Sequence, residues 1–347
     1  MEQHSENHEP PINGRELKPY ADLAKRLRRL ELFYADAFNK LNAIEKKEGW
    51  QNYLLGVLFI LQQEGFEPKG FNCAFGGNLP VGAGLSSSAA VEGGLAYALN
   101  ELFQFGIPKL ELIRMAQMAE HRFAGVKCGI MDMFASMMGK KNQVIRLDCR
   151  SLEYQYEPLQ LNDYSLLLFN TNVKHSLASS AYNERRQQCE QGVHWVQAAC
   201  PATTSLRDVS LEQLKQYVLP KDALVYQRCK FVVEEIQRLT DACIDLEQGN
   251  LAALGKKLIA THDGLSKDYA VSCRELDFLV NAVRNDPRVL GARMMGGGFG
   301  GCTINIVENS YATELTEKLS RTYRDALQLE LTPYEVRIED GTAVLAT

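Results

Sequence analysis

A glycine loop leads into a serine-rich helix start in Pro80-Val-Gly-Ala-Gly-Leu-Ser-Ser-Ser-Ala-Ala90. Gly82 and Gly84 can take positive φ angles and let the backbone approach a ligand, while the serines from Ser86 to Ser88 cap and fill the first helical turn. The N–H groups of that turn and the helix dipole attract anions, and serine hydroxyls can bind Mg²⁺ carried on phosphates. The stretch therefore predicts a phosphate-binding loop and favours nucleotide-dependent phosphoryl transfer.

The residues from Pro80 to Ala90 do not match the better-known nucleotide-binding and catalytic motifs. A P-loop has a lysine after its last glycine, but Ala83 follows Gly82. A dinucleotide fingerprint would need a glycine at Ser87, and the nucleophile elbow of an esterase would need one at Ser88. The alternative without a ligand is an ordinary helix N-cap after a tight turn.

A second glycine-rich run is Gly296-Gly-Gly-Phe-Gly-Gly301, which comes directly before the strand-like residues 302–307. Glycines are costly to order, and a run of them persists where backbone passes close to another group. The alternative is a flexible linker, which would be polar at both ends, whereas an apolar strand follows here at once. We interpret the run as part of a packed site.

Composition and charge exclude several classes of partner. The 347 residues, 46% of them hydrophobic and 23% charged, are enough for two domains and a large core. A net charge of -5 and a pI near 5.8 give no general attraction to nucleic acid or to anionic membranes. We expect no nucleic-acid or membrane partner, and the oligomeric state stays open.

Cysteine usage indicates a reducing compartment. The nine cysteines include no C-x-x-C pair and do not cluster with the six histidines, which favours neither a disulfide framework nor a zinc site. The chain starts with polar residues and has no long apolar run, so no signal peptide or membrane helix is predicted. These features predict a cytoplasmic protein.

Hydrophobic periodicity predicts a mixed α and β chain without internal repeats. The predicted elements are helices at 17–29, 50–63, 86–103 and 108–123 and strands at 30–33, 71–75 and 144–147.

The pattern changes after Leu161, where residues 164–170 have the composition of a buried strand and long charged helices follow. We therefore predict an N-terminal nucleotide-binding domain of residues 1–161, with 1–29 unplaced, and a C-terminal domain of residues 162–347.

Two acidic residues fall where the pattern predicts apolar surroundings. Glu120 lies one turn from both Ala116 and Phe123 on an apolar helix stripe, and Asp132 stands between two methionines. A buried carboxylate needs a partner, so an acid kept there could act as a general base or bind a metal. The alternative for each residue, taken singly, is a position at the edge of the core that reaches water.

Together these segments resemble the GHMP family of small-molecule kinases, and within it the members that phosphorylate galactose. The resemblance extends from about Leu30 to the C-terminus. Besides the run from Pro80, it rests on Trp50-Gln-Asn-Tyr-Leu-Leu-Gly-Val57, Cys128-Gly-Ile-Met-Asp-Met-Phe134, His175-Ser-Leu-Ala-Ser-Ser-Ala-Tyr-Asn-Glu-Arg-Arg186 and Gly291-Ala-Arg-Met-Met-Gly-Gly-Gly-Phe-Gly-Gly-Cys302. The family implies an α+β fold of two domains, with mixed sheets packed against helices and the active site between the domains.

The resemblance also implies ATP and galactose as substrates and Mg²⁺ as the cofactor. It assigns the adenine pocket to the segment of Trp50. It assigns the triphosphate to Gly82, Ala83, Gly84, Leu85, Ser86, Ser87, Ser88 and Ala89. Ser88, or Ser87 in its place, and Glu120 would hold the metal.

For the sugar, the resemblance implies that Asp132 accepts the proton of the anomeric hydroxyl, or orients it, as that hydroxyl attacks the γ-phosphorus. Gly129 and Tyr182 match positions that contact the sugar. The glycine loop would pack beside the reacting groups through Gly296, Gly297, Gly298 and Gly300.

The sequence departs from the family pattern at three places. Met133 stands where glutamine is common and Met295 where threonine is common, and neither change removes a group assigned to catalysis. The third is an N-terminal motif, G-R-x-N-x-x-G-E-H-x-D-Y, whose arginine stabilises the transferring phosphoryl group and whose Glu, His and Asp hold the sugar. The one Gly-Arg pair, Gly14-Arg15, does not continue as this motif.

We expect from this third departure that the chain lacks the N-terminal segment of a complete family member. An arginine that stabilises the transition state contributes about 10³ or more in rate, so impaired turnover is predicted. Two alternatives stay open. One is a galactose- and ATP-binding sensor with weak catalysis, and the other is a GHMP kinase for another sugar, such as N-acetylgalactosamine or arabinose.

Overall fold

A computed structural model of the chain describes residues 44–47, 49–77, 79, 84–126, 128–174 and 178–345. The helix predicted at 17–29 and the strand predicted at 30–33 lie outside the described residues. Gly82 and Ala83, at the start of the glycine–serine run, lie outside them as well.

The helices confirm the predictions made for the described residues at 50–63, 86–103 and 108–123. The last of these ends in a wider, π-helical turn at Glu120–Ala124. The α-helices are α1 (Gln51–Gln63), α2 (Ser87–Phe103), α3 (Lys109–Ala119), α4 (Met131–Met138), α5 (Ala178–Gln197), α6 (Leu211–Tyr217), α7 (Ala223–Glu247), α8 (Leu251–Asp263), α9 (Arg274–Val283) and α10 (Ala312–Leu327).

Among the described residues the strands form two sheets, and the pairings within them are antiparallel. The smaller sheet pairs β1 with β2, and the larger has the order β4-β5-β3-β6. The strands are β1 (Gln143–Leu147), β2 (Tyr154–Pro158), β3 (Tyr164–Lys174), β4 (Val289–Met294), β5 (Gly300–Glu308) and β6 (Thr332–Val336).

The described residues divide into two compact units. One contains the residues up to Gly77 together with Gly94–Cys128, and the other contains Leu79–Gly93 and the residues from Gly129 onward. Helix α2 begins in the second unit and ends in the first. The domain boundary predicted near Leu161 lies between β2 and β3, within the second unit, and stays a prediction.

In the first unit, α1 packs against α3 and the π-helical turn that follows it. Leu58, Leu61 and Ile113 are almost completely buried there. Gly56 permits the close approach, since a Cβ added to it would lie 2.9 Å from Cβ of Phe123.

The strand predicted at residues 71–75 is wrong, because this segment is irregular and no strand of the described first unit lies beside it. Its aromatic residues pack on helices instead. The Phe71 ring contacts Phe103 at a centroid distance of 6.2 Å, and Phe75 contacts Trp50 at 5.7 Å. Within the described part of the chain, the alternating side chains therefore pack on other aromatic rings and form no strand ladder.

The core of the second unit lies where the larger sheet packs on α9 and α10. Leu167 and Phe169 of β3 meet Leu279 of α9 and Leu319 and Tyr323 of α10, and each of these side chains is at most 4% exposed. Burial of five large side chains contributes about 1.5–3 kcal/mol each. This packing fixes β5 and the loop before it, where the second glycine run lies.

Candidate active site

The structure brings the two glycine-rich runs together within the second unit. A Cβ added to Gly84 would lie 4.0 Å from Cα of Gly301. The next residue, Leu85, packs in the same hydrophobic cluster as Met295, around the buried Leu168 and Cys302. A helix start that can bind anions therefore lies directly against the glycine loop.

Ser86 shapes the start of α2. Its φ of 51° is left-handed, which is uncommon for a residue other than glycine and is a feature of functional sites. The Ser86 carbonyl accepts a hydrogen bond from the Ala90 amide at 3.2 Å, so the helix begins immediately after it. Ser87 and Ser88 are half-buried in the first turn, and Ala89 is buried. Backbone amides in the first turn of a helix can donate to phosphate oxygens.

The second glycine run is the connection between the paired strands β4 and β5, which excludes the linker alternative. The Phe299 amide donates to the Val271 carbonyl at 2.8 Å. Gly298 has φ of 86°, and a Cβ on it would lie 2.0 Å from the same carbonyl oxygen. Only glycine fits there, so the loop is anchored on the segment around Val271.

Tyr182, on α5, lies beside the glycine loop. Its ring is 3.7 Å from the position that a Cβ of Gly297 would take, and the side chain is 47% exposed. One turn further along α5, Arg185 donates through Nε to the Tyr269 carbonyl at 2.9 Å. This bond ties α5 to the segment that carries Val271, and therefore to the glycine loop.

A buried histidine holds the strand that leads into the loop. His262 is 1% exposed, and its Nδ1 accepts a hydrogen bond from the Met294 amide at 3.2 Å. Its Nε2 must therefore carry the proton that it shares with Asp277 Oδ1, 3.1 Å away. Asp277 also accepts from Ser272 at 2.6 Å and Ser266 at 2.9 Å. Burial raises the pKa of Asp277, but these three hydrogen bonds outweigh it and hold the pKa below its usual range.

We expect Asp277→Asn to destabilise the protein at neutral pH by about 1 kcal/mol, a value reduced because the carboxylate is partly solvated. Because the folded-state pKa is depressed, the contribution of the carboxylate is complete above the unfolded pKa of about 4 and is lost as pH falls through the folded value. Urea unfolding at pH 7 and at about pH 2, below the folded-state pKa, should show a larger difference between parent and variant at pH 7. An equal difference at both would contradict the assignment.

Asp132 is exposed, and the expectation that it sits in an apolar environment is wrong. It lies in the first turn of α4, where Met133, Phe134 and Met137 take the buried face and Asp132 takes the other. Neighbours in a helical sequence point in different directions, so flanking apolar residues do not bury a side chain. Gly129 is also exposed, and a Cβ on it would meet no described atom within 4 Å.

Glu120, in contrast, is buried as predicted, with 5% exposure. It is the first residue of the π-helical turn in the first unit. The Cys128 thiol donates to its Oε2 at 3.2 Å. Single π-helical turns are frequent at functional sites, which agrees with a functional role for this carboxylate.

Trp50 precedes α1 and is 47% exposed, with its ring edge-on to Phe75. In the sequence segment His175–Arg186, residues 175–177 lie outside the described part of the chain, whereas Tyr182 lies within it. Sequence reasoning missed His262 and Asp277. The glycines inside the loop were the sequence feature which indicated that other residues hold the loop in place.

No group of three or more histidine, cysteine or acidic side chains that could hold a metal occurs among the described residues. None of their helices has both the length and the apolar character needed to span a bilayer.

The serine-started helix against a glycine loop, on an α+β fold, defines a small-molecule kinase of the GHMP class. Two family profiles agree, since the one described as GHMP kinases N terminal domain matches residues 52–140 and the one described as GHMP kinases C terminal matches residues 242–325. The chain belongs to the galactokinases, a family of ATP-dependent sugar kinases within this class.

Individual relatives support the assignment. The galactokinase of Thermotoga neapolitana is 41% identical over 313 residues, which is 89% of this chain and 87% of that protein. The crystal structure of Lactococcus lactis galactokinase complexed with galactose matches with a TM-score of 0.80 and 33% identity, over 87% of this chain and 79% of that one. Methanococcus jannaschii mevalonate kinase, at 18% identity and a TM-score of 0.56 over 84% of this chain and 77% of its own, shares the fold.

Proposed function

We propose that the chain phosphorylates D-galactose at the anomeric hydroxyl, converting galactose and ATP into galactose 1-phosphate and ADP. The observation that carries this proposal is the contact of the two glycine runs at the start of α2, where Gly84 meets Gly301. The similarity to a protein crystallised with galactose supports the choice of sugar.

The nucleotide is proposed to bind at the start of α2. The backbone amides from Gly82 to Ser88 would donate to the phosphate oxygens, and the positive end of the helix dipole would favour their charge. The exposed indole of Trp50 would stack on the adenine.

The donor set suits Mg²⁺. Ser88 offers a hydroxyl and Glu120 a buried carboxylate, both of them oxygen ligands. Mg²⁺ prefers oxygen and usually takes one or two protein ligands, with waters and substrate phosphates in its other positions. When bound, the metal would neutralise charge on the β- and γ-phosphates.

Asp132 is proposed as the proton acceptor. Its exposed carboxylate lies in the first turn of α4 and is accessible to a substrate. It would take the proton of the anomeric hydroxyl while that oxygen bonds to the γ-phosphorus and the bond to the β-phosphate oxygen breaks, releasing ADP. Tyr182 and Gly129 would contact the sugar, and the loop of Gly296, Gly297, Gly298 and Gly300 would lie beside the reacting groups.

We further propose that turnover by these 347 residues is slow. The sequence contains no G-R-x-N-x-x-G-E-H-x-D-Y motif, whose arginine would stabilise the transferring phosphoryl group. A positively charged group in this role contributes 10³–10⁵ in rate. None of the nine cysteines forms a disulfide, and we propose the cytoplasm as the compartment.

The test is calorimetric binding of galactose and of a non-hydrolysable ATP analogue with Mg²⁺, followed by a coupled ADP-release assay on a panel of sugars. The galactokinase of Thermotoga neapolitana, assayed alongside, provides the reference rate. We expect binding of both ligands and turnover of galactose at least about 10³-fold slower than the reference. Binding without turnover would favour the sensor, and turnover of another sugar would favour a different kinase. Absence of both binding and turnover would contradict a kinase function.

Ser88→Ala and Tyr182→Phe should separate the two ligands. We expect Ser88→Ala to weaken binding of the ATP analogue with Mg²⁺ by on the order of tenfold and to leave galactose affinity unchanged, because it removes a metal ligand. Tyr182→Phe removes one hydroxyl and should weaken galactose binding about 3–10-fold. Calorimetry with each ligand checks both, and the reverse order of effects would refute the assignment.

A further inference from the structure

The chain segment after the π-helical turn folds back onto it and is fixed there by its cysteine. Gly125 takes a φ of 80°, and the Val126 amide donates to the Glu120 carbonyl at 3.1 Å. Cys128 is thereby brought to Glu120, and its Sγ lies 3.2 Å from Oε2 of the carboxylate. This distance is well within the reach of a hydrogen bond from sulfur.

Two further side chains of the same helix hold the backbone of Cys128. Gln117 Nε2 donates to its carbonyl at 3.2 Å, and His121 Nε2 lies 2.7 Å from the same oxygen. A carbonyl can only accept, so His121 carries a proton on Nε2. Gln117 and His121 are one turn apart, with Glu120 between them in sequence, and all three contacts converge on Cys128.

In this arrangement His121 has a structural role, because it holds the backbone of Cys128. The Cys128 thiol has a separate role, which is its contact with the Glu120 carboxylate. The helix side chains fix the position of the Cys128 carbonyl. That position sets the direction of the Cys128 side chain, and its thiol orients the carboxylate of Glu120. Buried carboxylates that bind metals are normally hydrogen-bonded by a second group that sets their orientation. Hydroxyls and amides commonly fill that position, and here a cysteine does.

We propose that Cys128 is a positioning residue for the metal site, whose thiol holds the Glu120 carboxylate in the orientation that binds Mg²⁺. The inference rests on the proposed function, because that proposal makes Glu120 a metal ligand. Loss of a second group of this kind costs 10–100-fold in metal affinity. Loss of the thiol should therefore act on the metal and leave sugar affinity unchanged.

Two substitutions separate orientation from packing. Cys128→Ala removes the donor, whereas Cys128→Ser keeps a donor on the same atom position. Cys149→Ala is the matched control, because it removes an exposed thiol from the turn between β1 and β2. Thermal unfolding of each variant shows whether it is folded.

Binding of Mn²⁺, used as the probe and followed by electron paramagnetic resonance in the presence of a non-hydrolysable ATP analogue, measures the effect without turnover. We expect Cys128→Ala to weaken Mn²⁺ binding 10–100-fold. Cys128→Ser should stay within about fivefold of the parent, and Cys149→Ala should be unchanged. The analogue and Mn²⁺ together should also slow alkylation of Cys128 in the parent by iodoacetamide, measured on its peptide by mass spectrometry, because the metal restrains the carboxylate that the thiol contacts.

Unchanged Mn²⁺ affinity in Cys128→Ala would overturn the inference. Equal losses in the alanine and serine variants, together with lower thermal stability of both, would also overturn it, because the thiol would then serve packing alone. If the parent chain binds the analogue with Mn²⁺ but shows the first of these outcomes, the proposed function stands and only the role of Cys128 fails. If the parent binds neither analogue nor metal, the proposed function itself fails.

Discussion

Asp132→Asn is expected to lower the rate of phosphoryl transfer to galactose by about 10²–10⁴-fold while leaving affinity for the ATP analogue with Mg²⁺ unchanged. The substitution keeps the size and the hydrogen-bonding ability of the side chain but removes the group that takes up the proton. Its position makes the expectation specific. Asp132 is exposed on the outer face of α4, so no neighbouring packing depends on its charge.

Because the parent chain is expected to be slow, transfer should be measured in single-turnover experiments with radiolabelled ATP and enzyme in excess. Glu212→Gln is the matched control, since Glu212 is also an exposed carboxylate in the first turn of a short helix, α6. We expect that control to react at the parent rate. A rate for Asp132→Asn within threefold of the parent would show that another group accepts the proton.

The sequence pattern predicted helices and strands well where the pattern depends on the residues of one helix or strand alone. The bounds of α1, α2, β3 and β5 agree with the predictions within a few residues. Periodicity failed at residues 71–75, because alternating side chains can pack on helices without a partner strand. It also could not show the π-helical turn at Glu120–Ala124, since that turn ends the helix and no later helical residues continue the apolar stripe.

The two acids show how far a residue's surroundings can be read from sequence. Glu120 was placed by helical spacing, which reports the face of a helix, and it is buried. The surroundings of Asp132 were predicted from its immediate neighbours in sequence. These neighbours do not show which face of the helix a residue occupies, and Asp132 is exposed. The contact of Gly84 with Gly301 joins runs more than 200 residues apart, so the resemblance to a family, rather than spacing, indicated it.

Contacts between distant elements could not be predicted from single residues. His262 and Asp277 lie on different helices, and nothing local marks them as partners. Gly255 carried a weak signal, because a glycine inside a helical pattern costs about 1 kcal/mol relative to alanine. Its partner, Gly291, could not be identified without the structure.

These two glycines support the second large prediction. Helix α8 crosses β4 so closely that a Cβ added to Gly255 would lie 2.0 Å from the Leu290 carbonyl oxygen, and one added to Gly291 would lie 2.3 Å from the Gly255 carbonyl oxygen. The obstructing atoms are backbone, so no side-chain rotation can relieve the clash. Gly255→Ala must therefore move the helix or the strand, and we expect it to destabilise the protein by about 3 kcal/mol, the upper part of the range for overpacking.

Gly94→Ala is the matched test, because Gly94 also lies inside a helix, α2, but a Cβ on it would meet no described atom within 4 Å. Alanine should stabilise that helix by up to about 1 kcal/mol through its higher helix propensity. Urea unfolding should therefore show midpoints that shift in opposite directions with unchanged m-values. Because β4 ends at Met294, directly before the glycine loop, Gly255→Ala should also weaken binding of the ATP analogue. Equal stability of the two variants would show that the helix and strand can separate at little cost, and that their close packing does not hold the loop in place.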